Sequence, residues 1–127
     1  MPALDPSSKA TVDDFAQSLG LSARENDDGS FGFDFTESGR FSIVAAPQDD
    51  LVLVSLRRRI LLEDLIPLAR LAASGGPDLH EGLVFQPGLT SKDQPVLTAA
   101  IARRAFDLPR LNSVFLAMDR VFKEHGL

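Results

Sequence analysis

Phe31, Phe33 and Phe35 alternate with Gly32 and Asp34. Period two puts all three rings on one face of a β-strand, whereas a helix would scatter them around its axis. Turn-forming runs bound this segment: Asn26-Asp27-Asp28-Gly29 before it and Glu37-Ser38-Gly39 after it. Phe41, Ile43 and Ala45 then alternate in a second strand that Pro47 ends. A third run, Leu51-Val52-Leu53-Val54-Ser55-Leu56, is apolar on both faces and predicts a central strand covered from two sides. Short turns between three such runs predict an antiparallel meander.

Helical periodicity lies on either side of the meander. Val12, Phe15, Ala16 and Leu19 fall at i, i+3, i+4 and i+7, with Thr11 expected as the cap, Asp13 and Asp14 in the first turn and Gly20 as the stop. Residues 1–8 hold two Pro and two Ser and are expected as a disordered tail, leaving one domain over residues 9–127. Leu61, Leu62, Leu65, Leu68, Ala69, Leu71 and Ala72 cover more than half the circumference of a second helix. Pro67 sits in its first turn if it starts near Asp64, and kinks it if it starts at Ile60. Leu83, Val84 and Phe85 predict a fourth strand stopped by Pro87-Gly88, and Val96 to Phe106 a fifth. Asp107 is a good cap for a last helix, with Pro109 near its first turn. Its stripe is Leu108, Leu111, Val114, Phe115, Met118, Val121 and Phe122. The predicted fold class is α+β, in the order α-β-β-β-α-β-β-α, a twisted antiparallel sheet with helices packed on it.

Charge and composition narrow the function. The 127-residue chain has net charge −5, and residues 1–50 carry ten acidic against three basic side chains. Phosphate repels such a surface, which argues against nucleic-acid binding. The run Arg57-Arg58-Arg59 reads as a solvated strand end before a helix. No apolar run approaches the ~18 residues that span a bilayer, and the N-terminus lacks a signal-peptide pattern. A cytoplasmic protein with no membrane partner is the expectation. Cysteine is absent, so disulfides and thiolate metal sites are excluded.

Chemistry-bearing patterns are sparse. The two histidines are His80, expected in a loop, and His125, expected in the last helical turn. Neither belongs to a His-x-x-x-His or His-Glu pattern, so no metal or cofactor is expected. No Gly-x-Ser-x-Gly elbow is present. Gly29-x-x-Gly32 precedes a strand rather than a helix and is no phosphate loop. The paired acids Asp13-Asp14, Asp27-Asp28 and Asp49-Asp50 diverge as neighbours on helices or strands and are solvated in turns. No catalytic residue is assigned and the chain is expected not to be an enzyme.

What remains is apolar surface. The second helix is apolar beyond one stripe, which fits either a central core helix or burial against a second subunit. The Phe31/Phe33/Phe35 face fits either a core or an open groove for a partner segment.

With these elements in place, the chain resembles the class I type III secretion chaperones, the Tir-chaperone-like family. The resemblance rests on the Val12-Asp13-Asp14-Phe15-Ala16-Gln17-Ser18-Leu19-Gly20-Leu21 helix, the Gly29-Ser30-Phe31-Gly32-Phe33-Asp34-Phe35 strand, the Leu62–Leu71 helix and the closing Leu108–Phe122 helix after a long strand. It spans residues 10–125. It implies a bacterial cytoplasmic homodimer around which an extended N-terminal segment of a secreted effector wraps. Carried over, it implies effector contacts at Phe15, Leu19, Phe31, Phe33, Phe35, Ile43 and Val54. It implies a dimer interface at Leu65, Leu68, Leu71, Ala72 and Val84, where Pro67 departs from the family's helix. Two rivals stay open: a regulatory or scaffold domain of the same fold, and an anion-binding protein using Arg103, Arg104 and His80.

Overall fold

The first helix, α1 (Pro6–Ser18), starts earlier than the periodicity suggests. Asp5 is its N-cap residue in extended conformation and Pro6 its first helical residue, where a missing N–H costs nothing. Ser8 Oγ donates to Asp5 Oδ1 at 2.6 Å. Residues 4–8 are therefore not tail: Leu4 is buried in the core and Ser8 is buried too. Asp13 and Asp14 fall in mid-helix and are exposed, and no acidic side chain occupies the first turn. The helix stops as expected at Gly20, whose φ of 72° is left-handed. Gly20 N–H donates to Gln17 O at 3.1 Å and Leu21 N–H to Ala16 O at 2.8 Å, the paired bonds of a Schellman C-cap.

The chain described in this computed structural model comprises residues 4–35, 37–46, 50–58, 78–80, 83–89 and 94–124, with the backbone alone for residues 78–80, 83, 84 and 89. The helix expected over 61–72, and His125, lie outside the described residues. The strands are β1 (Phe31–Phe35), β2 (Gly39–Ala45), β3 (Leu51–Arg57), β4 (Asp78–His80), β5 (Leu83–Leu89) and β6 (Pro95–Ala102). They form one six-stranded sheet in the order β1-β2-β3-β6-β5-β4, with every neighbouring pair antiparallel. A 3₁₀ turn (Arg103–Ala105) leads to the second described α-helix, α2 (Leu108–Glu124). Asp107 Oδ1 accepts from the Arg110 N–H at 2.9 Å and caps it, as the sequence predicts.

Three boundaries differ from expectation. Leu83–Leu89 runs through Pro87-Gly88. Only residues 83–85 pair with β4, so among the described residues that side of β5 is an edge beyond Phe85, where proline is tolerated. Asp78–His80 is a strand rather than a loop. The last strand ends at Ala102, not Phe106.

Register explains the core. Phe33, Phe41, Leu56 and Leu97 are successive partners across β1, β2, β3 and β6; Phe31, Ile43, Val54 and Ala99 form the next row. Period two puts both rows on the face that α1 and α2 cover, and all eight side chains are buried. Against them α1 packs Val12, Phe15 and Ala16, while α2 packs Leu111, Val114, Met118, Val121 and Phe122. Phe15 sits with its ring centroid 5.6 Å from Phe33 and 5.6 Å from Phe41. Phe115 lies 4.9 Å from Phe35 and closes this aromatic cluster. On the other face of the sheet, Val44, Leu53 and Ala100 are register partners. Val44 and Leu53 are only half-buried and Ala100 is exposed, so this side is less covered than the run Leu51–Leu56 suggests.

Candidate functional site

The seven residues expected to contact an effector separate into two sets. Phe15, Phe31, Phe33, Ile43 and Val54 are core, each 5% exposed or less. Their face of the sheet is the one the helices cover, so these five side chains are buried within the single chain. Alternation fixes that Phe31 and Phe33 share a face, but not which face the helices cover. Phe35 is half-buried at the end of β1, and Leu19 is 41% exposed at the end of α1. Leu21 (40%) and Leu116 (59%) are the other large exposed hydrophobics among the described residues, and the sequence reading assigned neither to a surface. Of the expected dimer residues, Leu65, Leu68, Leu71 and Ala72 lie outside the described residues. Val84 has its backbone in β5, paired with Leu79.

The arginine run is a solvated strand end only at Arg57, and Arg59 lies outside the described residues. Arg57 is exposed, but Arg58 is 5% exposed and ties three elements together. Its Nη1 donates to Asp119 Oδ1 on α2 at 2.8 Å and to the Ser38 carbonyl in the β1–β2 turn at 2.8 Å; its Nη2 donates to the Asp119 carbonyl at 3.3 Å. The guanidinium carbon stands 4.8 Å from the centre of the Phe122 ring. Lys123 Nζ adds a second cation at 2.9 Å from Asp119 Oδ2. Burial is the largest single influence on the Asp119 carboxyl and raises its pKa. Hydrogen bonds from Arg58 and Lys123, the Arg58 charge and a Ser38 hydrogen bond together outweigh burial and hold it below the ordinary aspartate value. The Arg58 Nε–H is buried with no acceptor among the described residues.

Two clefts accompany these residues. One, of about 440 Å³, lies at the rim where the β1–β2 turn meets the end of β3 and the start of β6. Asp34, Glu37, Arg40, Arg57, Arg58 and Gln94 line it. Arg40 Nη1 pairs with Asp34 Oδ2 at 2.8 Å. The guanidinium also occupies the space a Cβ at Gly32 would take, so it lies across β1. The other, of about 590 Å³, is bounded by Asp50, Leu51, Ala102, Arg103 and Arg104. There Arg103 pairs with Asp50 at 3.2 Å. The His80 backbone lies in β4, separated from β6 by β5, so sheet order does not make it a neighbour of the two arginines. No group of three or more His, Cys, Asp or Glu among the described residues can hold a metal ion. No described helix is long and apolar enough to cross a membrane.

No protein-family model matches the chain, and no curated protein matches its sequence. Solved structures do share its fold. The Yersinia pestis type III secretion chaperone SycH, solved in complex with a stable fragment of YscM2, matches with a TM-score of 0.65 and 17% identity, over 92% of this chain and 98% of that one. The HopA1–SchA chaperone–effector complex provides a second match, with a TM-score of 0.55 and 20% identity, over 95% of this chain and 98% of that one. The resemblance read from the sequence thus holds at the level of fold, which is that of the type III secretion chaperones.

Proposed function

We propose that this chain is a cytoplasmic chaperone that binds an extended N-terminal segment of a secreted effector and keeps it competent for export. One observation carries the reading: the fold matches two chaperones over more than nine-tenths of the chain, and both were solved with a bound partner. No bond is made or broken in this activity. Masking an unfolded segment requires a large surface, because the segment loses conformational entropy on binding.

The exposed apolar side chains at the end of α1, Leu19 and Leu21, are the contact surface we assign to the effector, with Phe35 at the end of β1. The outer edge of β1 adds backbone donors and acceptors for strand pairing. Among the described residues, only the isolated Glu25–Phe31 bridge occupies that edge. The homodimer is part of the proposal and rests on the breadth of the apolar pattern over 61–72. Limited proteolysis of a co-purified complex tests the function. A partner fragment from the effector's N-terminus is expected to survive only when this chain is present. Digestion of the partner at the same rate with and without the chain would overturn the reading.

A further inference from the structure

Among the described residues, Arg57 and Arg58 bring more hydrogen-bond donors to the cleft at the end of β3 than their acceptors use. Arg40 and Arg57 are direct register partners on β2 and β3, an arrangement that like charges make unfavourable. Asp34 compensates Arg40. Arg57 is exposed and forms no ion pair or side-chain hydrogen bond among the described residues. Arg58 is the most buried of the described residues lining the cleft, and its Nε–H has no acceptor among them. A buried donor without a partner is unfavourable, and an incoming acceptor relieves it. The cleft also adjoins Asp34 and Phe35 of β1, whose outer edge we assigned to the partner segment.

We propose that this cleft takes the carboxylate of an Asp or Glu side chain in the bound partner segment, with Arg57 as its main cation and the Arg58 Nε–H as a second donor. A guanidinium presents planar paired N–H groups that match a carboxylate. Asp34 and Glu37 line the same cleft, so a monoanion is accepted where a dianionic phosphate is repelled. The site would select partners with an acidic residue at one position, against the preference for basic segments that the chain's net charge of −5 alone suggests. The inference rests on the chaperone reading for its partner, but the cleft is tested independently of it.

The probe is an acetylated, amidated pentapeptide, Val-Thr-Glu-Val-Thr, titrated into the full chain while the arginine Nε–Hε NMR signals are followed. Controls are the same peptide with Gln in place of Glu, and inorganic phosphate at equal ionic strength. The Arg57 and Arg58 signals are expected to shift with the Glu peptide and not with the Gln peptide. Arg57→Gln is expected to weaken that binding about tenfold or more, with partial recovery in Arg57→Lys. No shift with the Glu peptide overturns the proposal, and so does a phosphate response as strong as the peptide's. If the Glu peptide binds but no secreted partner is protected from proteolysis, the cleft stands and the chaperone reading falls. If a partner is protected equally by the wild-type chain and Arg57→Gln, and the peptide shifts nothing, the chaperone reading stands and the carboxylate site falls.

Discussion

Replacing Asp119 with Ala removes the carboxylate that Arg58 is folded around. The two side chains are 6% and 13% exposed and meet at 2.8 Å, so little water replaces the lost partner. Breaking a buried pair by deleting one member costs about 3–5 kcal/mol, because a charge stays buried without its counter-charge. The carbonyls of Ser38 and Glu37 still accept from Arg58, which favours the lower end of that range. At about 3–4 °C per kcal/mol for a domain of this size, the melting temperature falls by roughly 10–15 °C. Circular dichroism is the assay, since all nine aromatic residues are Phe and no Trp or Tyr reports by fluorescence. The control is Asp34→Asn, which breaks an exposed pair of similar length, 34% and 78% exposed, for under about 1 kcal/mol. The double variant Arg58→Met with Asp119→Leu is expected to regain much of the loss, because an apolar pair leaves no buried charge. If Asp119→Ala costs no more than Asp34→Asn, the reasoning from burial is refuted.

Further outcomes follow from the same structure. The Asp119 carboxyl is depressed in the folded state, so its contribution is complete above the ordinary aspartate range and is lost as pH falls through its lowered value. Acid unfolding below about pH 4 is therefore expected to be shallower in Asp119→Asn than in the wild-type chain, by denaturant melts at stepped pH. Gly39 has a φ of 108°, and a Cβ there would collide with the Arg57 carbonyl. Gly39→Ala is expected to cost over about 2 kcal/mol, against about 1 kcal/mol for Gly20→Ala, which has no atom within 4 Å of its Cβ. Phe33→Asp, buried at 4% exposure, is expected to unfold the chain. Leu19→Asp is expected to leave the melting temperature within about 2 °C while reducing effector capture.

Local signals were legible where the physics is local. The Phe31/Phe33/Phe35 alternation, the Gly20 stop and the Asp107 cap each depend on neighbours within a few residues, and each is present as expected. The start of α1 was also written locally, as Asp5-Pro6, but the Pro and Ser content of residues 1–8 outweighed that pair. The strand Asp78–His80 is too short to show a period. Pro87 sits inside a strand because only tertiary order makes that stretch an edge. Arg58 had no local signal, since its partner Asp119 is 61 residues away. For the same reason the burial of five of the seven expected effector residues was not legible: strand period assigns side chains to a face, and the helices that cover that face are set by long-range packing.

Light scattering of the chain, alone and co-expressed with the protein encoded beside it, tests the central claim most directly. The account predicts a particle of twice the 13.8 kDa chain that gains the mass of bound partner on co-expression. A particle of unchanged mass, with the neighbouring protein eluting separately or insoluble, would contradict it.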